Sequence, residues 1–241
     1  MPGVVIAGPW RGASRNLLRF QHALRDWQLL SGWPVFADPL SGVSIDQSGL
    51  ISSWDLLLLN EDFFVEQGIQ VMRLGPLPAS RRLQVWLKKM GGNQLLITEG
   101  DSRCLDPLGN AVQFSLGLDC WWNLHKKSFS LEVDRSFQRS NQFLEICLDA
   151  DREASTWLDA RLSLQGGFTE PSLARWLPRL LPFDVPIMLA ASSPVRDWLS
   201  YGGMRSFSNR CFGFRGASGI DGTLSLGIGL SLSLGKTFLV V

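Results

Sequence analysis

Three short stretches of this chain carry residues suited to holding anions. The first is Ser192-Ser193-Pro194-Val195-Arg196, which directly follows the apolar run Pro186–Ala191. Loops at the carboxyl ends of parallel strands are where open α/β sheets place ligands. A helix opening at Pro194 aims its free N–H groups and positive dipole end outward, and Arg196 adds a bidentate donor. Together these suit a carboxylate or a phosphate, although the same residues also fit an ordinary helix cap with a surface arginine. The second stretch is Arg81-Arg82, set after the turn Gly75-Pro-Leu-Pro-Ala-Ser80 at the start of an expected helix. A cation in a first turn opposes the helix dipole, and local misfits of this kind concentrate at functional sites. Solvated surface arginines are the competing reading. The third is Arg215-Gly-Ala-Ser-Gly-Ile-Asp-Gly222, where three glycines within seven residues permit close approach of another group. A tightly packed helix–strand corner would have the same composition.

Other chemistries find little support. The first turn, Gly8-Pro9-Trp10-Arg11-Gly12-Ala13, sits where a dinucleotide-binding loop would sit. The fingerprint requires G-x-G-x-x-G, and here a bulky Trp10 occupies the middle. Asp38 follows later but belongs to a different motif. Cys104, Cys120, Cys147 and Cys211 form no C-x-x-C pair, and His22 and His125 are the only histidines. A zinc site is therefore disfavoured, and free buried thiols in a reducing compartment are expected. Net charge is +1 with both signs interspersed, which argues against a nucleic-acid footprint or an anionic membrane surface. The longest uncharged stretch, Thr223–Gly235, is shorter than the roughly 20 residues a membrane span needs. A soluble, cytoplasmic protein is expected.

The elements that must position these residues are legible as alternating runs. Gly3–Gly8, Pro34–Asp38, Ile69–Gly75 and Gln94–Thr98 read as buried strands. Helical spacing covers about Ser14–Leu30, Ile51–Gln67 and Ser80–Met90. Alternation of this kind is the signature of βαβ units, hence an α/β, Rossmann-like parallel sheet with helices on both faces. From Asp101 to Gln113 the chain is turn-rich, and Cys120-Trp-Trp-Asn123 opens a short helix. Phe137–Leu162 reads as a long, mostly exposed helix, and Thr169-Glu170-Pro171 as a well-capped start of another. Pro186–Ala191 is expected to close the α/β layer. A boundary between Asp197 and Arg210 divides the chain into 1–200 and 201–241, the second being a strand–turn–helix–strand unit.

Four motifs, in order, give a resemblance. Trp33-Pro-Val-Phe-Ala-Asp-Pro-Leu-Ser-Gly42, Arg73-Leu-Gly-Pro-Leu-Pro-Ala-Ser-Arg81, Leu105-Asp106-Pro107, and SSPVRD followed by RGASGIDGTLS closely resemble the MenD family. These are the 2-succinyl-5-enolpyruvyl-6-hydroxy-3-cyclohexene-1-carboxylate synthases of menaquinone and phylloquinone biosynthesis. The resemblance covers nearly the whole chain and implies the family's central Rossmann-like domain followed by a truncated start of its diphosphate-binding domain. It further implies thiamine diphosphate and Mg²⁺ as cofactors, 2-oxoglutarate and isochorismate as substrates, and a homo-oligomer (dimer or tetramer) for the full-length enzyme. The implied reaction decarboxylates 2-oxoglutarate and adds the product in 1,4 fashion to isochorismate. Both substrates are multiply anionic, so fixed cations are required.

Residue by residue, the resemblance assigns substrate contacts to Ser192, Arg196, Arg215 and Arg81, and cofactor contacts to Ser218, Gly219 and Ile220, the last supporting the bent cofactor. Two departures stand out. Arg81 lies where the family usually has Lys, keeping the charge but not the shape, and Ala191 replaces an Asn. The family's activating glutamate and its Gly-Asp-x-Ser metal loop have no counterpart in this sequence. The expectation is therefore a fragment with no catalytic residue or metal ligand of its own, no bound cofactor, and no activity alone. A non-catalytic nucleotide-binding or scaffolding module is the alternative.

Overall fold

A computed structural model describes residues 2–60, 69–90, 94–129, 133–163, 167–183, 185–214 and 221–241, with side chains described from residue 139 onward in the helix that starts at Val133. The chain opens with β1 (Gly3–Ala7), α1 (Leu17–Ser31), β2 (Val35–Ala37), β3 (Leu50–Ile51) and α2 (Trp54–Leu57). It continues with β4 (Gln70–Leu74), α3 (Arg81–Lys89), β5 (Gln94–Ile97), β6 (Ala111–Phe114), α4 (Leu118–Phe129) and α5 (Val133–Arg161). The remaining elements are α6 (Glu170–Leu180), β7 (Ile187–Met188), α7 (Ser193–Tyr201), β8 (Cys211–Phe212), α8 (Thr223–Leu234) and β9 (Leu239–Val240).

Six strands form one parallel sheet in the order β3-β2-β1-β4-β5-β6. The order reverses direction at β1, between β2 and β4, which is the switch point where such sheets open a crevice. All five residues of β1 are buried, as a strand covered on both faces must be. Successive side chains alternate between faces, and the two cores follow that period. Val5 and Ala7 pack with Phe20, Leu24 and Trp27 of α1 and Trp121 of α4. Val4 and Ile6 pack on the other side with Trp54, Leu83, Trp86 and Phe143 from α2, α3 and α5. The expected α/β, Rossmann-like architecture is present.

A second parallel sheet runs β8-β7-β9, with a core of Ala174, Ile187, Leu189, Val195, Trp198 and Cys211. Here the sequence reading needs correction. The run at Pro186–Ala191 does not close the six-stranded layer; its strand β7 is the centre of the second sheet, paired with both β8 and β9. A buried apolar run announces a strand, but the sheet it joins is fixed by contacts distant in sequence. Two strands also escaped notice. β3 is two residues long, at the very start of a stretch read as helical, and β6 is a partly exposed edge of sequence AVQF at the end of a turn-rich stretch. Of the expected helix over 51–67, the described residues contain one short turn, α2, and residues 61–67 lie outside the described residues.

Thr169 does cap α6: its hydroxyl accepts from Ser172 N–H while Ser172 Oγ accepts from Thr169 N–H. The small-residue helix α8 approaches β9 closely, since a Cβ on Gly227 would stand 2.8 Å from Val240 Cγ2. Of the four cysteines, Cys147 and Cys211 are buried as expected, whereas Cys104 is exposed and Cys120 half-buried.

Candidate functional site

The chain enters α3 through a turn that Gly75 makes with φ +75°, a left-handed conformation natural to glycine. Ser80 is the N-cap of α3, its Oγ accepting from Leu83 N–H at 3.0 Å. Arg81 and Arg82 therefore occupy the first turn of α3, a turn that contains no acidic residue of its own. On the other side, α7 begins immediately after β7, with Pro194 in its first turn and Arg196 within its second. The two helices bring Arg81, Arg82 and Arg196 together as walls of one open cleft of about 610 Å³, with Gln84 beside them. Asp55, Ser80 and Ser200 line its inner side.

Two sequence-assigned residues, Arg81 and Arg196, thus meet in space although 115 positions separate their numbers (196 − 81). Neither has an ion-pair partner among the described residues, while Arg82 donates to Asp55 Oδ2 at 2.6 Å. The cleft is cationic, with three guanidiniums against one carboxylate. That composition suits a ligand bearing more than one carboxylate. Ser192 sits exposed at the N-cap of α7, outside the lining of the cleft. Its hydroxyl makes no capping hydrogen bond, with φ −96° and ψ −133°, so the ordinary-cap reading of this serine is not what the structure contains. Arg215, Ser218, Gly219 and Ile220 lie outside the described residues.

Asp55 and Ser200 were not singled out in the sequence. Their contacts to α3 and to each other join residues 25 and 145 positions apart, a separation that no local spacing rule reports.

The second place where this fold could hold a ligand is the crevice at the switch point, and it is filled. Gly8 N–H donates to Leu74 O and Trp10 N–H to Leu40 O, both at 2.8 Å, drawing the first turn down onto its neighbours. A Cβ on Gly8 would stand 1.5 Å from Pro76 O, so the two loops meet backbone to backbone. Trp10 packs on Phe20 with ring centroids 4.8 Å apart. The cavity left is about 20 Å³, room for about one water rather than a pyrophosphate. Glu99 borders it, its carboxyl raised above the usual range by burial, against a lowering contribution from the Leu118 N–H it accepts. Asp38 is fully buried and accepts from Leu40 N–H and Ala79 N–H, so it offers nothing to a ribose. Calorimetric titration of NAD, FAD or ADP into the chain is therefore expected to give no binding heat at millimolar ligand. Saturable heat with any of them would reverse this reading of the crevice.

No group of three or more His, Cys, Asp or Glu side chains that could hold a metal ion occurs among the described residues. Among the same residues, no helix is long and apolar enough to cross a membrane.

No protein-family model matches the chain. Curated proteins do. The chain is 59% identical over 240 residues to a 2-succinyl-5-enolpyruvyl-6-hydroxy-3-cyclohexene-1-carboxylate synthase of Prochlorococcus marinus (strain MIT 9313), covering 99% of this chain and 41% of the relative. It is 53% identical over 240 residues to the protein of that name from Prochlorococcus marinus (strain NATL2A), covering 99% and 40%. It is 50% identical over 242 residues to that from Synechococcus sp. (strain CC9902), covering 99% and 41%. The chain thus spans about two fifths of the length of the curated relatives it matches.

Proposed function

We propose, for a chain that belongs to the MenD family along 99% of its length, that its arginine cleft is the part of a synthase active site that grips substrate carboxylates. The parent activity is the family's decarboxylation of 2-oxoglutarate and addition of the product to isochorismate, in menaquinone or phylloquinone biosynthesis. The observation that carries this reading is the meeting of Arg81 and Arg196, from α3 and α7, in one cationic cleft. In the two-unit organisation proposed with it, residues 1–200 and 201–241, Arg81 and Arg196 both belong to the first unit, Arg81 at the start of α3 and Arg196 in α7, just after β7.

The chain's own contribution to the chemistry is charge held in place. Arg81 and Arg196 bind and orient carboxylates, and Arg215 is proposed to join them. Fixed cations lower the barrier when they stabilise negative charge better in the transition state than in the bound substrate. Thiamine diphosphate, when bound, would supply the means of cleaving the carboxyl group from 2-oxoglutarate, and Mg²⁺ would hold its diphosphate. Ser218, Gly219 and Ile220 are proposed to face that cofactor. A cytoplasmic homo-oligomer completes the proposal for the full-length enzyme.

Since this chain corresponds to about two fifths of its relatives, it is proposed to be inactive by itself. Incubated with 2-oxoglutarate, isochorismate, thiamine diphosphate and Mg²⁺, the purified chain is expected to release no CO₂ above the enzyme-free control. Turnover by the chain alone would overturn the assignment of the remaining machinery to other polypeptide. A nucleotide-binding module has no comparable support, because the crevice it would need is filled.

A further inference from the structure

Beneath the arginines lies a carboxylate that the proposed chemistry does not use. Asp55 is 3% exposed, and both of its oxygens are engaged by three hydrogen bonds from two different helices and a helix cap. Ser80 Oγ donates to Oδ1 at 2.5 Å. Arg82 Nη1 and Ser200 Oγ donate to Oδ2 at 2.6 and 2.7 Å. Ser80 and Arg82 belong to the N-terminus of α3, and Ser200 to the last turn of α7, one helical turn beyond Arg196.

Asp55 is itself held firmly. Asp151 of α5 accepts from Ser52 Oγ and from Ser53 N–H, the latter at 2.6 Å, at the start of α2. Trp54, fully buried, donates its indole N–H to Ala37 O at 3.0 Å and stacks on Phe36 with ring planes 5° apart. The short helix carrying Asp55 is thus tied to β2 and α5, and its carboxylate presents a fixed acceptor to the cleft.

We propose that Asp55 is a positioning residue of the anion cleft, aiming the Arg82 guanidinium and locking α7, and with it Arg196, in register with α3. The proposal rests on the reading of the cleft as a carboxylate site. A simple ion pair has little reason to recruit hydroxyl donors from two further places, and with the Arg82 side chain 40% exposed the pair is by itself a weak contributor to stability. Here the extra donors are Ser80, where the chain turns into α3, and Ser200, at the far end of α7. Asp55 also offsets the unfavourable placement of Arg82 in a helix first turn. A side chain as long as arginine loses considerable rotamer freedom when it binds a ligand, and a preset guanidinium has less of that freedom left to lose.

The sign of one measurement separates positioning from mere charge balance. Were Asp55 only a counter-charge, Asp55→Asn would make the cleft more positive and tighten anion binding. As a positioning residue, its loss weakens binding. In titrations of 2-oxoglutarate into the 241-residue chain, followed by NMR, Asp55→Asn is expected to weaken binding about tenfold. The Arg82 Nε–Hε signal is expected to be sharp in the parent chain and to broaden or average in the variant. Ser200→Ala keeps every charge and the Arg82–Asp55 pair and removes only the tie to α7. It is expected to weaken binding about threefold, and it decides the matter if Asp55→Asn fails to fold. Unchanged or tighter binding in a folded Asp55→Asn, or unchanged binding in Ser200→Ala, overturns the proposal. Should the parent chain fail to bind 2-oxoglutarate, the carboxylate reading of the cleft is what fails. The Arg82 signal then still tests Asp55, and a signal equally sharp in Asp55→Asn overturns its role.

Discussion

Arg175→Met is expected to destabilise the fold by about 3 kcal/mol, the lower end of the range for breaking a buried ion pair from one side. The Arg175 side chain is fully buried in α6. Its guanidinium donates to Asp159 Oδ1 at 2.7 Å, to Ser155 O at 2.9 Å and to Tyr201 O at 3.3 Å, joining α5, α6 and α7. A Cβ on Gly203 would stand 2.2 Å from Nη1, so the backbone next to it is shaped around this side chain. Methionine supplies apolar volume but leaves those carbonyls without their donor. The effect stays at the low end because Asp159 is 38% exposed and keeps Arg179, which donates to it at 2.8 Å. Urea denaturation should show a lower midpoint at unchanged slope. A shift below about 0.5 kcal/mol would mean that this arginine resembles buried pairs that hydrophobic residues replace without loss. Acid provides a second readout. Burial alone would raise the Asp159 carboxyl, but the bonds from Arg175 and Arg179 bring it below the usual range. A depressed carboxylate contributes stability above its unfolded value of about 3.9, and that contribution is lost as pH falls through the folded value. The gap between parent and variant should therefore narrow below about pH 4. Asp106, lowered net of its burial by bonds from Arg73 and backbone N–H groups, titrates in the same direction and is untouched by the substitution.

Much of this fold was legible because its central strands are short, mostly apolar runs, even with Arg73 inside β4 and Gln94 opening β5. β1, β2, β4 and β5 are almost wholly buried, and each is bracketed by Gly or Pro. Burial on both faces erases the alternation that would confuse strand with surface, and the flanking turns set the ends. The helix starts at Thr169 and Ser80 were marked by hydroxyl residues that do cap. What sequence could not convey was membership. β7 is as apolar as β5, yet it pairs with β8 and β9 rather than with the larger sheet. β3 and β6 failed for a different reason: one has two residues and the other has only partly buried side chains, so neither carries a period long enough to detect.

The site divides in the same way. Arg81 was conspicuous as a cation against a helix dipole, and Arg196 as a donor placed just beyond a strand; both are local properties, and both line the cleft. Asp55 looked like any acidic residue of a short helix. Its role depends on Ser80, Arg82 and Ser200 folding onto it from elsewhere. The assignments at Arg215, Ser218, Gly219 and Ile220 rest on resemblance, since they fall outside the described residues.

Arg196→Ala and Arg81→Ala are each expected to weaken binding of 2-oxoglutarate or isochorismate by the chain about ten- to a hundredfold. Hydrogen bonds to charged groups contribute about 1.5–3 kcal/mol, and every 1.4 kcal/mol is about tenfold in affinity. Both side chains are exposed and lack a carboxylate partner among the described residues, so each is available to a ligand without first breaking an internal pair. Exposure also means screening. Parent-chain affinity should fall as salt is raised through about 0.15 M, where the Debye length is near 8 Å. Each alanine variant should show a shallower dependence, having lost one of the charges that salt masks. Arg81→Lys distinguishes charge from shape, because lysine restores the ammonium but not the two-pronged donor. A loss of less than about threefold would show that Arg81 acts as a point charge, which is how the resemblance's usual lysine would act. A loss matching the alanine variant would assign it a bidentate grip. The cleft is ruled out as a carboxylate site if both alanine variants bind as the parent does, with the same salt dependence.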